Sequence, residues 1–215
     1  METPFQLTLQ KCAHLNQSPS EEFELQLRDY ARQLSGGDLN ALGSIYDHAG
    51  TRLLRYALFL VKDRTEADDI VQATMLKLAR NPKKLVRSKH PVAYLFRILR
   101  NEAYSILYRR KPFEHCDVLP LVPARTSLNS DAWEVTEAVH EALAELPAIQ
   151  AEVITLHLWE NLTFREVAEI TNESINTVTS RYRYGIEKLS KSLRSFDDSG
   201  QPAWKEIAVK LQVQG

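Results

Sequence analysis

The sequence is poor in the residues that build cross-linked, metal-bound or turn-rich folds. Its two cysteines, Cys12 and Cys116, are far apart and show no CxxC or Cys/His spacing. This pattern indicates neither a disulfide framework nor a structural zinc site. With only 7 glycines and 9 prolines, the chain also has few residues for a turn-rich β fold. We therefore expect a mainly helical, cytoplasmic protein without a metal or other cofactor.

Long apolar runs and an excess of one charge are also absent. No segment approaches the roughly 18 apolar residues of a membrane helix, and residues 1–20 lack the pattern of a signal peptide. The net charge of −1 argues against a protein that coats nucleic acid indiscriminately. The histidines form no HExxH or other ligand spacing, and no glycine-rich phosphate loop occurs. We expect no membrane insertion, no catalytic residues, and only local contacts with nucleic acid.

Apolar residues recur at helical spacing through the first half of the chain. They predict four helices, which run from Glu21 to a Gly36-Gly37 stop, from Asp38 to about Val61, from Thr65 to Arg80, and from Pro91 to about Lys111. We expect Leu39 and Tyr46 on the buried side of the second helix. Thr65, with Asp68 three residues later, is the predicted N-cap of the third helix. These helices would form one domain over residues 21–112.

The remaining segments predict a second small domain, so that the fold class is all-α with two helical domains. Residues 1–20 are interpreted as a flexible tail and 113–130, which are proline-rich and aperiodic, as a flexible linker. Residues 131–195 would form the second domain. The extension 196–215 carries an amphipathic pattern around Trp204. It is interpreted either as a helix packed on the second domain or as a docking or autoinhibitory element.

Residues 162–193 have the pattern of a helix-turn-helix. Thr163 and Glu166 predict a capping box, Asn172 suits a turn that needs positive φ, and Ser174 can cap the second helix. The outward side chains near the start of that helix are Asn176, Thr177, Thr179, Ser180, Arg181, Arg183 and Tyr184. Such groups reach base edges and phosphates in a DNA major groove. A packed helical hairpin with a solvated basic face is the alternative.

The helix that begins at Pro91 has two stripes. Apolar residues form one, and the other consists of Tyr94, Arg97, Asn101, Tyr104 and Tyr108, with Arg109 and Arg110 at its end. Aromatic rings between basic and amide groups suit unstacked bases, because ring stacking contributes about 1–3 kcal/mol per base. The alternative is that the tyrosines are peripheral core residues with solvated hydroxyls.

Together these segments resemble the extracytoplasmic-function (ECF) sigma factors of bacterial RNA polymerase. The most specific matches are Asp68-Asp69-Ile70-Val71-Gln72, similar to a motif of the second region, and Thr177-Val178-Thr179-Ser180-Arg181 in the fourth region. The resemblance covers about residues 25–112 and 132–194. It implies a region 2 domain and a region 4 domain that bind core polymerase, recognise the −10 and −35 promoter elements, melt the −10 region and direct transcription initiation.

The resemblance also implies roles for particular residues. Asp68, Asp69 and Gln72 would contact the polymerase β′ subunit, the Tyr94 to Arg110 stripe would bind the −10 element, and the exposed helix-turn-helix residues would bind the −35 element. Asn101 would receive a flipped −10 base. The implied partners are the β and β′ subunits of core polymerase, promoter DNA and an anti-sigma factor.

The sequence departs from the family pattern at several positions. Tyr94 replaces the usual tryptophan, Ala73 a glutamate, Asn172 a glycine, and Thr179 a lysine or arginine. The change at Thr179 puts one DNA contact in doubt. The alternative function is a helix-turn-helix transcriptional regulator that is not a polymerase subunit. Such a regulator would need a sensor or receiver domain, and it would give the Pro91 stripe no role.

Overall fold

The computed structural model describes residues 21–110 and 142–194, and these ranges are helical without a strand. The helices are α1 (Glu21–Ser35), α2 (Asn40–Val61), α3 (Arg64–Arg80), α4 (Pro82–Arg87), α5 (Pro91–Arg110), α6 (Ala148–Ile154), α7 (Phe164–Thr171) and α8 (Ile175–Arg194). A π-helical turn, Thr155–Trp159, follows α6 directly. The all-α prediction is confirmed. The predicted tail, linker and Trp204 segment, and the start of the helix expected at Asp131, lie outside the described residues.

The first five helices surround an apolar core. Its fully buried side chains include Leu27 from α1, Ile45 and Tyr56 from α2, Ile70 from α3 and Phe96 from α5. The four predicted helices are present, and a short fifth helix that was not predicted follows Asn81. Proline fits the first turn of a helix, where its missing N–H costs no hydrogen bond. Pro82 therefore ends α3 and also begins α4, whose Leu85 is buried.

The predicted N-cap of α3 was wrong by two residues. The Asp63 side chain caps the helix by accepting a hydrogen bond of 2.9 Å from the backbone N–H of Glu66. Asp63 and Glu66 have the same spacing of three as Thr65 and Asp68, so the sequence offers two equivalent caps. The backbone decides between them, because Lys62 ends α2 in the left-handed region with φ 60°. Helix α3 can then begin immediately, and Thr65 lies inside its first turn.

The buried side of α2 also differs from the prediction. Leu39 is 75% exposed and Tyr46 is 48% exposed. Leu39 precedes the first helical residue, and Tyr46 lies about 100° around the helix from Ile45. The buried residues of α2 include a series at steps of three and four: Ala41, Ile45, Ala49, Leu53 and Tyr56.

The C-terminal helices follow the predicted helix-turn-helix closely. The Thr163–Glu166 capping box is present at the start of α7, and Asn172 has φ 57° and ψ 43°. Ser174 Oγ accepts a hydrogen bond of 3.1 Å from the backbone N–H of Thr177 and so caps α8. The π-helical turn after α6 was not predicted. Leu158, which lies in this turn, is 39% exposed.

The two groups of helices pack against each other, an arrangement that the sequence left open. Helix α7 lies against α5, and buried apolar residues from both ranges belong to one core. Charged side chains on α2 and α5 reach acids in the α6 to α7 segment. Within the described ranges, no helix combines the length and the apolarity needed to cross a membrane.

Candidate functional site

The outer face of α5 presents aromatic, amide and cationic side chains side by side. Arg97 and Asn101 are exposed, Tyr94 is half-buried, and Tyr108 is 63% exposed. The Arg97 guanidinium carbon lies 5.4 Å from the centroid of the Tyr94 ring. Arg109 is also exposed, and its Nε donates a hydrogen bond of 3.1 Å to the carbonyl oxygen of Ser105. The structure thus leaves most of this predicted stripe accessible while the opposite side of α5 is buried.

Tyr104 differs from the other members of the stripe. It is half-buried, and the Arg100 guanidinium carbon lies 4.4 Å from its ring centroid. Arg100 in turn binds Glu152 of α6. Tyr104 therefore lies at the edge of the contact between the two helical groups, whereas Asn101 and Tyr108 face outward. Of the three tyrosines in the stripe, Tyr94 and Tyr104 pack partly against the core, as the structural alternative expects.

Helix α3 carries the predicted polymerase-binding residues on its outer side. Asp69 and Gln72 are exposed, and Asp68 forms an ion pair of 2.9 Å with Arg64. Leu76 is 58% exposed and shares a face with Asp69 and Gln72, because the three positions are separated by three and four residues. Leu76 was not among the predicted site residues. Its position outside the buried stripe of α3 was the signal that it would be exposed.

The start of α8 presents most of the predicted DNA-binding side chains. Asn176, Thr179, Ser180, Arg183 and Tyr184 are exposed. The Arg183 guanidinium carbon lies 5.1 Å from the Tyr184 ring centroid. The structure thus brings a cation and an aromatic ring together on the outer face of α8.

Three predicted residues on α8 also have contacts within the protein. Arg181 is half-buried and forms an ion pair of 3.0 Å with Glu173. The Thr177 hydroxyl lies 2.7 Å from that of Ser174, and the Thr179 hydroxyl donates to the carbonyl oxygen of Ile175. Contacts of these three with another molecule would compete with contacts in the turn and helix.

Glu160 joins the C-terminal helices to α2. Its side chain is buried and accepts hydrogen bonds from Arg52 Nε at 3.1 Å and from Arg55 Nε at 2.7 Å. Arg52 also donates to the backbone carbonyl oxygen of Glu160. Its guanidinium carbon lies 4.9 Å from the Phe23 ring centroid and 5.5 Å from that of Phe96. A buried acid is thus matched by two cations from the other helical group.

Glu152 forms the second buried contact between the two helical groups, which we call the Glu152 junction. Its Oε1 accepts hydrogen bonds from the Tyr56 hydroxyl at 2.6 Å and from Arg100 Nε at 2.7 Å. Burial raises the pKa of the Tyr56 phenol well above its ordinary value, and the Glu152 charge raises it further. Burial alone would lower the pKa of Arg100, but the hydrogen bonds and charge of Glu152 raise it overall. Glu152 was not among the predicted site residues, although an acid between Ala151 and Val153 in an apolar segment was a signal of a buried charge.

A third cluster lies where α1 and the start of α5 meet α7. Glu24, His90 and Glu166 each offer a ligand atom, and these three atoms lie within 4.8 Å of one another. Burial raises the pKa of Glu24, and the nearby Glu166 carboxylate raises it further, while His90 and Arg28 lower it. This cluster was not predicted, because its members come from three distant segments and share no local motif.

Two family models match the chain. The model for Sigma-70 region 2 matches residues 45–112, and the model for Sigma-70 region 4 matches residues 136–189. The first match includes the α3 and α5 faces, and the second includes α6, α7 and most of α8. The two matched segments thus contain nearly all the residues singled out above.

Known proteins show the same similarity. The RNA polymerase sigma factor SigV of Bacillus subtilis strain 168 is 33% identical over 144 residues, which cover 66% of this chain and 85% of SigV. The ECF RNA polymerase sigma factor SigW of the same organism is 24% identical over 184 residues, 80% of this chain and 98% of SigW. The solved structure of the sigma factor RpoE from Bartonella quintana, in complex with the anti-sigma factor NepR, has 27% identity and a TM-score of 0.52. It covers 67% of this chain and 91% of RpoE.

Proposed function

Because the chain belongs to the ECF sigma factors and directs transcription initiation, we propose that it binds core RNA polymerase and recognises promoter DNA through two separate surfaces. Residues 21–112 would form the domain for polymerase and the −10 element, 113–130 the linker, and 131–195 the domain for the −35 element. The observation that carries this proposal is the pair of outward polar and aromatic faces, one on α5 and one on α8. A regulator that binds duplex DNA only through α8 would give the α5 face no role.

The α5 face suits a single strand separated from its complement. Tyr94 and Tyr108 offer rings for stacking, Asn101 offers an amide that can hydrogen-bond to a base edge, and Arg97 and Arg109 offer charge to phosphates. Extruding a base costs a few kcal/mol, which stacking and hydrogen bonds must offset. Tyr104 and Arg110 complete the proposed surface for the −10 element. The Tyr104 ring contacts Arg100 in the free protein, so stacking on a base would require this contact to be replaced.

The start of α8 suits the major groove of duplex DNA. Arg183 can reach guanine or a phosphate, Asn176 can bond to adenine, and the hydroxyl of Ser180 can bond to either a base or a phosphate. Tyr184, Thr177, Thr179 and Arg181 would complete the contact with the −35 element. Because Arg181 already pairs with Glu173, its contribution to DNA affinity should be smaller than that of the exposed Arg183.

The outer side of α3 suits a basic surface on the polymerase β′ subunit. Asp68, Asp69 and Gln72 supply charge and hydrogen bonds, but exposed ion pairs contribute only about 0–1 kcal/mol each. The exposed Leu76 adds apolar area to the same face, and burying a leucine side chain contributes about 1.5–3 kcal/mol. The acids would then set orientation, and Leu76 would add affinity. The β subunit is the further polymerase partner we propose.

An anti-sigma factor is a further proposed partner. The similar sigma factor from Bartonella quintana was solved in complex with the anti-sigma factor NepR. We propose that this chain is regulated in the same way.

The proposal is tested by reconstitution with bacterial core polymerase. The purified chain should co-elute with core polymerase at low salt, and it should support run-off transcription from promoters selected for binding to the complex. A chain that binds duplex DNA but neither co-elutes with core polymerase nor supports transcription would favour the regulator instead.

The two DNA surfaces should be separable by mutation. Asn101→Ala should reduce promoter opening about tenfold while duplex binding changes little, because the amide acts only on an unpaired base. Arg183→Ala should weaken duplex binding to the −35 element by about 1–3 kcal/mol, because the side chain contacts bases or phosphates in the groove. Permanganate footprinting measures opening, and fluorescence anisotropy with duplex DNA measures binding. Equal, mild effects of both changes on both steps would contradict the division.

A further inference from the structure

We propose that Glu24, His90 and Glu166 form a binding site for a divalent transition-metal ion of the zinc type. Glu24 lies in the first turns of α1, His90 immediately before α5, and Glu166 in the first turn of α7. One ligand atom from each lies within 4.8 Å of the other two. Among the residues that the structure describes, this is the one group of histidine and acidic side chains arranged in this way. The site would span the junction between the two helical groups.

Two atoms in this cluster are buried without a hydrogen-bond partner. Glu166 is 1% exposed, and its Oε2 accepts hydrogen bonds from the Thr163 N–H at 2.8 Å and the Thr163 hydroxyl at 2.7 Å. Its Oε1 has no partner, and neither has His90 Nε2. The nearest ion-pair partner of His90 Nε2 is Glu169 Oε1, at 3.8 Å. Buried polar atoms nearly always have a partner, and a bound cation would satisfy both of these atoms at once.

The capping box prepares Glu166 as a ligand. Because Thr163 engages Oε2, the carboxylate is fixed in direction and its other oxygen remains available to an ion. Hydrogen bonds of this kind to a ligating carboxylate orient it and strengthen metal binding. Glu166 would therefore combine two roles, as the capping residue of α7 through one oxygen and as a metal ligand through the other.

The donor set selects the kind of metal. One imidazole nitrogen and two carboxylate oxygens suit Zn²⁺ and its neighbours, whereas Mg²⁺ and Ca²⁺ prefer oxygen ligands alone. Two carboxylates also balance the charge of a divalent ion. Ligand atoms around tetrahedral zinc are roughly 3.3–3.5 Å apart, given bond lengths of about 2.0–2.2 Å. Side-chain rotations that bring the ligand atoms closer by up to about 1.4 Å would therefore close the cluster around the ion, with water or Glu169 in the fourth position.

Metal binding at this site would favour the packed arrangement of the protein. Glu24 and His90 belong to the N-terminal helices and Glu166 to the C-terminal helices, so all three ligands meet only when α7 lies against α1 and α5. An ion that binds one arrangement more tightly shifts the population towards it. The inference depends on this packing and not on the proposed contacts with polymerase or promoter.

The test is a zinc titration of the full-length chain. Cys12 and Cys116 are replaced by serine in every sample, so that thiols do not bind the ion, and a chelator removes metal beforehand. Calorimetry with Zn²⁺ should show one saturable equivalent in this parent protein. Glu24→Gln and His90→Gln should each weaken that binding at least about tenfold, since even changes around a metal ligand commonly cost this much. Zinc should also raise the thermal unfolding midpoint of the parent more than that of either variant.

Glu187→Gln is the matched control, because Glu187 is an exposed acid on α8 that pairs with Lys191. It should bind zinc as the parent does. Circular dichroism establishes that each variant retains its helices. The proposal is overturned if the folded parent binds no stoichiometric zinc, or if both Glu24→Gln and His90→Gln bind it with parental affinity. Neither outcome bears on transcription, because the assay contains no polymerase or DNA.

Discussion

Glu152→Ala is expected to lower the free energy of unfolding by about 3–5 kcal/mol, because removing one member of a buried ion pair leaves the other charge uncompensated. The Glu152 side chain is 1% exposed and that of Arg100 is 19% exposed. Tyr56, which donates the shortest hydrogen bond to Glu152, is completely buried. The change therefore leaves the Arg100 cation and the Tyr56 hydroxyl without their partner where the two helical groups meet. Urea denaturation followed by circular dichroism measures the effect.

Glu187→Ala serves as the control for this prediction, because it removes a carboxylate that is solvated and paired only on the surface of α8. Surface changes of this kind usually alter stability very little. Small-angle scattering should show a larger radius of gyration for Glu152→Ala than for the control, because the junction holds α6 against α5. A loss of stability below about 1 kcal/mol with no change in size would contradict a buried junction in solution.

The helix-turn-helix was predictable almost to the residue because its signals are local. Thr163 and Glu166 satisfy each other across three positions, and Asn172 adopts a conformation that few other residues tolerate. The N-cap of α3, in contrast, could not be predicted from local signals alone. Asp63 with Glu66 and Thr65 with Asp68 have the same spacing, and only the way α2 ends selects the first pair.

The contacts between the helical groups could not be predicted from local patterns. Glu160 lies more than 100 residues from Arg52 and Arg55, and Glu152 lies 96 residues from Tyr56. Sequence periodicity places each of these residues on a helix, but it gives no information about which helices meet. The Glu24, His90 and Glu166 cluster could not be predicted from the sequence for the same reason. Spacing rules find ligands within one motif, whereas this cluster needs three segments brought together.

Helical periodicity predicted the exposure of most, but not all, of the proposed DNA-binding residues of α5. Helical periodicity put Arg97, Asn101 and Tyr108 on one face of α5, and all three are exposed. Periodicity also assigned Tyr104 to that face, but Arg100 covers its ring because Arg100 is drawn towards Glu152. The position of Tyr104 thus depends on the junction, and Glu152→Ala should make its ring more accessible to DNA.

Gly185→Ala should destabilise the protein by about 1–3 kcal/mol, the usual cost of overfilling a packed contact. A Cβ atom at position 185 would lie 2.7 Å from Ile154 Cδ1 and 3.3 Å from Gln150 Cβ. Alanine normally stabilises a helix interior relative to glycine by about 0.5–1 kcal/mol, so the close approach of α8 to α6 reverses the expected sign. Because Gly185 follows Tyr184, separating the two helices would also tilt the proposed −35 surface. Thermal and urea unfolding measure the loss of stability, and duplex anisotropy measures the loss of binding.

Gly43→Ala is the matched control, since Gly43 is also in a helix but a Cβ there would have no atom within 4 Å. It should raise stability by about 0.5–1 kcal/mol, as helix propensity alone dictates. A second comparison isolates the clash. Ile154→Val removes the methyl group nearest to position 185 and normally costs about 0.5–1.5 kcal/mol, but in the Gly185→Ala background it should cost less or restore stability. If Gly185→Ala and Gly43→Ala stabilise the protein equally, α8 does not lie this close to α6 in solution.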